Sequence, residues 1–311
     1  GAKLFLQELE GGEINIRPIV QKMQKPNSQS KFRLYIDDIE ARDLEFRFER
    51  LVHRDPEYGI DYYDMEVNDI AARLERCSVV QSHVWADVTE LSARERSGFV
   101  LDNLAGRFSV NEGLIVFSDM VLQTPTSKLS VPEFALKGGD WNRYKEFIDN
   151  VTMTGRVECE RLTTEDLGYF APQMRYWDTS VSNVGATMDG VVSDFEGVIT
   201  QATIANHSSA EGKFRITGLP DWRESRYVVG MERVELSGDD IVMLLTNVPQ
   251  EPLSDAVMNI VKRVGDVGAR VTFGGKLNAF RAVGNISATA GDVSADVTIT
   301  KGRDDRYAVA G

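Results

Sequence analysis

An alternation of apolar and polar residues with a period of two runs along most of the chain, and it is clearest between Phe99 and Leu136. Turn signals at Asn111–Gly113 and Thr124–Lys128 divide this stretch into segments of strand length. Side chains two residues apart share one face of a strand. The stretch therefore predicts an antiparallel sheet with one apolar and one polar face. The apolar positions that define it are Phe99, Leu101, Leu104, Phe108, Val110, Leu114, Val116, Met120, Leu122, Leu129, Val131, Phe134 and Leu136.

The segment from Phe32 to Phe48 carries the same pattern, and it predicts two strands joined about Asp37–Asp43. Its apolar positions alternate with Arg33, Tyr35, Glu45 and Arg47. We expect the apolar set to line the interior of a groove, while the alternative is that these are ordinary core residues. The candidate groove residues are Phe32, Leu34, Ile36, Leu44, Phe46 and Phe48.

Helical patterns are scarce by comparison. Short helices are predicted at 140–150, at 163–170 with a Thr-Thr-Glu-Asp cap pattern, and at 238–245. The strongest helix is predicted over 251–264, with Pro252 near its start and Gly265 just past its end. We therefore predict a mainly β fold, an elongated and curved antiparallel sheet that forms a groove, with a few short covering helices.

An internal echo indicates a repeated unit. The spacing of Gly190 and Phe195 recurs at Gly275 and Phe280, and a β-rich run follows each pair. Repeats of one supersecondary unit favour a quasi-linear array. No linker divides the 311 residues, so we expect one elongated segment over 1–311. Within it, 1–137 and 138–311 are possible sub-units of the same chain.

The net charge and the length of the apolar runs exclude some classes of function. The net charge of −13 argues against nucleic acid and against adhesion to an anionic membrane surface. No apolar run reaches the length of about 20 residues that a spanning helix needs. The first residue is Gly rather than Met, from which we expect an excised piece of a longer protein.

The sequence offers no catalytic constellation. It contains no nucleophile elbow, no phosphate-binding loop and no zinc motif. Carboxylate pairs such as Asp239 and Asp240 are typical of helix starts and turns. Cys77 and Cys159 are either a disulfide or two buried small hydrophobes. We therefore expect no enzyme activity, no cofactor and no metal, and a hydrolase or lyase on a β-helix is the least favoured class.

Three stretches together resemble a known family. Residues 97–108 (SGFVLDNLAGRF), 113–117 (GLIVF) and 122–129 (LQTPTSKL) look like the TamB/AsmA-like proteins, in which a sheet, small-residue turn and L-x-T-x-x-S-x-L phrase recurs. The stretch 141–170, the phrases at 167–172 (LGYFAP) and 216–222 (ITGLPDW), and 190–197 are similar to members from Bacteroidetes. The resemblance covers most of the chain and is densest from about residue 95 to 245.

The resemblance implies a periplasmic β groove whose parent protein is anchored in the inner membrane of a Gram-negative bacterium. In such a groove the acyl chains of phospholipids or other lipids would lie during transport between the two membranes. The alternative role is a scaffold that assists outer-membrane or secreted proteins by offering sheet edges to client strands, with an outer-membrane assembly protein as partner. Because a fragment would expose its end strands, we also expect self-association through Leu4–Leu6 or Val293–Ile299.

Overall fold

The computed structural model describes residues 1–11, 13–15, 33–51, 56–221, 223–246, 255–302 and 307–311. Within these ranges the chain forms 17 strands in one open, curved sheet, as the alternation predicted. The strands are β1 Lys3–Gln7, β2 Arg33–Glu49, β3 Asp64–Val80, β4 His83–Glu95, β5 Val100–Leu101, β6 Asn103–Asn111, β7 Leu114–Gln123, β8 Lys128–Lys137, β9 Thr152–Thr163, β10 Ser180–Val191, β11 Asp194–Ile204, β12 Ser208–Thr217, β13 Arg226–Leu236, β14 Val267–Lys276, β15 Ala279–Ala288, β16 Gly291–Lys301 and β17 Tyr307–Ala310.

The order of strands in the sheet follows the order in the chain. Neighbouring strands from β2 onward pair in antiparallel fashion, with β4 pairing both the short β5 and β6. Strand β1 is the exception, because it runs parallel to β2. The sheet continues without a break from β8 to β9. The boundary expected between the sub-units 1–137 and 138–311 falls in the connection between these two strands.

Four short α-helices occur in the described residues, all in connections between strands: α1 Phe147–Asn150, α2 Thr164–Phe170, α3 Gly238–Thr246 and α4 Asp255–Val264. The region predicted as a helix at 140–150 begins instead as a 3-10 helix, Trp141–Glu146. A second 3-10 helix, Pro172–Tyr176, follows α2. Residues 251–254 of the strongest predicted helix, including Pro252 and Leu253, lie outside the described residues.

Two sequence expectations about strands are corrected. The segment predicted as two strands about Asp37–Asp43 is one 17-residue strand, β2. Its register shifts between Ala41 and Leu44, where Asp43 has a φ of 55°, so a bulge replaces the predicted turn. In β7 the register places Ile115 and Phe117, rather than Leu114 and Val116, with the apolar residues of β6 and β8. All four residues are apolar, so alternation alone could not fix the phase.

The sheet is a single layer with very little enclosed core. Among the described residues only five apolar side chains are buried: Ala86, Ala135, Val151, Cys159 and Ala210. A domain normally buries its apolar sheet face against a second layer. Here most apolar side chains of the strands are half-buried, which is the degree of cover that neighbouring strands alone provide. Both cysteines are free thiols.

A repeated anchor fixes helices α2 and α3 to one rim of the sheet. Asp166 in α2 accepts hydrogen bonds from the hydroxyls of Thr124 at 2.6 Å, Thr126 at 2.7 Å and Ser127, all in the β7–β8 turn. Asp240 in α3 does the same with the backbone N–H and hydroxyl of Ser208, which follows the β11–β12 turn. We call this edge, where both helices lie, the helix rim. The anchors recur after four strands and so mark a four-strand repeat.

Candidate functional site

One face of the sheet carries rows of apolar residues that run across the strands. Residues paired in register on adjacent strands lie side by side on the same face. The longest row crosses 15 strands and contains no charged residue. It consists of Leu34, Val79, Val84, Val110, Ile115, Leu136, Met153, Gly190, Phe195, Ile216, Tyr227, Gly275, Phe280, Ile299 and Val309.

A second row lies two residues along each strand and crosses twelve strands from β4 to β16. It consists of Ala86, Phe108, Phe117, Phe134, Gly155, Met188, Gly197, Phe214, Val229, Phe273, Ala282 and Val297. A third row crosses β9 to β16 through Val157, Ala186, Ile199, Gly212, Met231, Val271, Gly284 and Ala295. We call the surface formed by these three rows the apolar face.

The opposite face carries charged and polar residues, with apolar ones such as Val198 and Val283 among them. The row next to the second row, on the side away from the first, reads Asp87, Arg107, Ser118, Glu133, Arg156, Thr187, Val198, Lys213, Gly230, Thr272, Val283 and Asp296. Exposed ion pairs lie on this face, for example the pair between Arg281 and Asp296. Such exposed pairs contribute little to stability, so their effect is to keep this face solvated. The two faces therefore differ in chemistry over almost the whole sheet.

Phenylalanine rings cover glycines at several points of the apolar face. A Cβ added to Gly155 would meet the ring of Phe134 at 2.6 Å, and one added to Gly197 would meet the ring of Phe214 at 2.6 Å. In the echoed hairpins Gly190 and Gly275 have φ values of 130° and 148° and lie beside Phe195 and Phe280. Only glycine accepts such φ values without strain. The glycines therefore leave the space that these rings occupy.

The predicted groove residues lie on β2, except Phe32, which is outside the described residues. Each of the other five faces an apolar partner on β3: Leu34 with Val79, Ile36 with Cys77, Leu44 with Ile70, Phe46 with Val67 and Phe48 with Met65. Leu34 and Ile36 are exposed, whereas Leu44, Phe46 and Phe48 are half-buried. The structure thus places them at one end of the sheet, and of these five Leu34 belongs to the longest row.

Most of the apolar face was not among the candidates from sequence. The missing information is register, because strand periodicity tells which residues share a face of one strand but not which residues of the next strand lie beside them. The repeat of the Gly190–Phe195 spacing at Gly275 and Phe280 gave part of this register information, because all four residues belong to the longest row.

Reactive chemistry is sparse in the part of the chain that the structure covers. No group of three or more His, Cys, Asp or Glu residues there could hold a metal ion. Burial raises the pKa of Cys159 to about 11, which keeps this thiol protonated and unreactive at neutral pH. No helix among the described residues is long and apolar enough to cross a bilayer.

Comparisons with protein-family models, with curated proteins and with solved structures find no match to this chain. The physical properties of the apolar face are therefore the basis on which a function is inferred.

Proposed function

We propose that the protein holds the acyl chains of phospholipids or other lipids along its apolar face, as part of a route between two membranes. The observation that carries the proposal is the longest row, in which 15 consecutive residues across the strands are apolar, aromatic or Gly. With neighbouring strands about 4.8 Å apart, this row extends roughly 65 Å.

The energetics favour a long apolar ligand. Each CH₂ group transferred from water to an apolar surface contributes about 0.8 kcal/mol, so a lipid with two chains gains a large free energy even if each chain is covered on one side. A continuous apolar surface of this length is otherwise a liability, because uncovered patches promote aggregation. A bound lipid removes that liability without requiring any reactive residue.

The compartment follows the family resemblance. If the protein belongs with the TamB/AsmA-like proteins, the groove lies in the periplasm of a Gram-negative bacterium and its parent is anchored in the inner membrane. The acidic composition fits a body that stays away from anionic membrane surfaces while lipid moves along it.

Mass spectrometry of organic extracts from the purified protein tests the proposal. We expect acyl lipids in at least stoichiometric amounts, and delipidated protein should take up a fluorescent fatty acid. Extracts free of lipid, combined with no uptake by the delipidated protein, would contradict it.

A second candidate, a scaffold that binds client β-strands, is favoured by the edge of β2. Strand β1 pairs with Glu45–Glu49 only, so the described residues supply no partner for 33–42 on that edge. Unpaired strand edges bind extended peptides by β-augmentation. Lipid-independent binding of an unfolded β-barrel peptide, lost when Lys or Pro is placed in 33–42, would favour this role over lipid transport.

A further inference from the structure

A cavity of about 490 Å³ lies at the helix rim, where residues of both α2 and α3 line it. Its walls come from α2 and the 3-10 helix after it on one side, and from the β11–β12 turn and α3 on the other. A cavity of this size is in the range of small-molecule sites. It belongs neither to the apolar face nor to the β2 edge.

Opposite charges line this cavity in equal number. The guanidinium groups belong to Arg161 and Arg175, and the carboxylates belong to Glu165 and Asp178. The guanidinium carbon of Arg175 stands 4.5 Å from the ring centroid of Tyr58, which also lines the cavity. Stacking on an aromatic ring holds a guanidinium in a fixed plane, and a fixed guanidinium binds phosphate well.

The other residues that line the cavity suit an ammonium group and the apolar part of a ligand. Trp177 lines the cavity with 37 % of its surface exposed, and Met243 lies on the α3 side. An ammonium group gains from a carboxylate and from an aromatic face. Equal positive and negative charge disfavours a purely anionic ligand, because Glu165 and Asp178 would repel it.

The cavity also adjoins the apolar ends of three strands. Leu162, Val181 and Ile204 pair in register across β9, β10 and β11. The residues next to them along the chain, Thr163, Ser180 and Ala205, line the cavity. A ligand whose polar head occupies the cavity can therefore extend an apolar part onto the strands.

We propose that this cavity binds the zwitterionic headgroup of a phospholipid, a phosphodiester that carries an amine. The phosphate lies against Arg161 and Arg175, and the ammonium lies against Glu165, Asp178 and Trp177. This inference rests on the proposed function, because it assigns the headgroup of the lipid whose acyl chains the apolar face holds. The same headgroup chemistry also occurs in the soluble compound glycerophosphoethanolamine, which the test must separate from the lipid.

Binding is measured on the delipidated full chain with three probes: phosphatidylethanolamine, diacylglycerol with the same acyl chains, and glycerophosphoethanolamine. We expect the wild-type chain to bind phosphatidylethanolamine at least about tenfold more tightly than diacylglycerol, because charge-assisted hydrogen bonds to phosphate add to the acyl contacts. Arg161→Gln should remove most of this preference and leave diacylglycerol binding unchanged. Arg233→Gln, at an exposed arginine paired with Glu235 away from the cavity, is the matched control.

The outcomes separate the two proposals. Equal binding of phosphatidylethanolamine and diacylglycerol by the wild-type chain would overturn the headgroup site and leave the acyl-binding function intact. Binding of glycerophosphoethanolamine without either lipid would overturn the acyl-binding function and assign the cavity to a soluble ligand. An unchanged preference in Arg161→Gln would overturn the assignment of the cavity. If that variant does not fold, Glu165→Gln at an exposed position of α2 gives the same test from the ammonium side.

Discussion

At the scale of single residues, adjacent positions on one strand lie in different environments. Val228 and Val229 are neighbours on β13, and they face opposite sides of the sheet. Val229 pairs with Phe214 and Phe273 on the apolar face, whereas Val228 pairs with Arg215 and Gly274 on the polar face. The pair therefore offers a comparison in which residue type and strand position are almost identical and only the face differs.

Val229→Asp should abolish acyl-chain binding near β13, because a carboxylate on an apolar contact surface loses its hydration without gaining a partner. Val228→Asp should leave binding within about twofold of wild type, since its side chain is 43 % exposed on the polar face. Uptake of a fluorescent fatty acid measures both, with far-ultraviolet circular dichroism as the check of folding. Equal loss in the two variants would contradict the assignment of the faces, and Val229→Ser serves if Val229→Asp unfolds.

Asp166 offers a second residue-scale test, because its carboxylate holds α2 to the sheet. Burial raises its pKa, but the hydroxyls of Ser127, Thr124, Thr126 and Thr163 together outweigh burial and lower the pKa below the usual 3.8. Asp166→Asn should destabilise the helix rim by about 1–3 kcal/mol, because the amide accepts fewer of these hydrogen bonds. Chemical denaturation measures the loss, and Glu165→Gln on the exposed side of α2 is the control.

The sign of the pH dependence follows from the direction of that pKa. A lowered folded-state pKa stabilises the fold at pH values above the unfolded value, and this stabilisation is lost as pH falls through the folded value. Burial likewise raises the pKa of Asp240, but hydrogen bonds from His207, Ser208, Asn206 and Ser237 lower it below 3.8. The stability that Asp166 and Asp240 contribute should therefore be present above about pH 4 and be lost as pH falls further. The free energy of unfolding should then fall more steeply with acid in the wild-type chain than in Asp166→Asn, which has lost one of the two carboxyl groups. An equal loss of unfolding free energy in the two chains between neutral pH and about pH 3 would contradict this.

At the scale of elements, the echoed hairpins depend on glycines that tolerate positive φ. Gly275 has a φ of 148°, and a Cβ there would meet the backbone oxygen of Ala279 at 2.3 Å. Gly274, one residue earlier on β14, has no atom within 4 Å of an added Cβ. Gly275→Ala should cost about 1–3 kcal/mol through backbone strain and the close contact. Gly274→Ala should be neutral or stabilising by less than about 1 kcal/mol. Thermal unfolding compares the two, and equal shifts would contradict the hairpin geometry.

Turns and helix starts were predicted correctly where residues close in sequence are enough to determine them. The turns at 111–113 and 124–128 and the Thr163 cap of α2 are all found, because each depends on residues close in sequence. The bulge at Asp43 was missed, since an aspartate with positive φ inside a strand resembles a turn in sequence. The Asp166 anchor was also missed, because its partners in the β7–β8 turn are about 40 residues away and only the register of the sheet brings them together.

At the scale of the whole molecule, the strands follow one another in chain order and form a quasi-linear array. One of the two expected end strands, Val293–Ile299, is not the last strand of the sheet, whereas Leu4–Leu6 lies in the end strand β1. Strand β16 is covered along 298–301 by β17, which becomes the last described strand of the sheet. The end at β1 is parallel and short, and it covers only part of β2. Self-association through these edges remains a prediction, now directed at β17 and the parts of β16 and β2 that have no neighbour among the described strands.

Ala308→Lys should weaken self-association, because a lysine on an edge strand opposes pairing with another chain. Ala308 lies opposite Thr300, which pairs in turn with Ala279 on the interior strand β15. Ala279→Lys is therefore the matched control, with the same substitution in the same row but away from the edge, and both positions are exposed. Sedimentation of delipidated protein over a wide range of concentration should show assembly in wild type and in Ala279→Lys, and a shift toward monomer in Ala308→Lys. A wild-type chain that stays monomeric throughout, or equal effects of the two lysines, would mean that β17 does not act as an open end of the array.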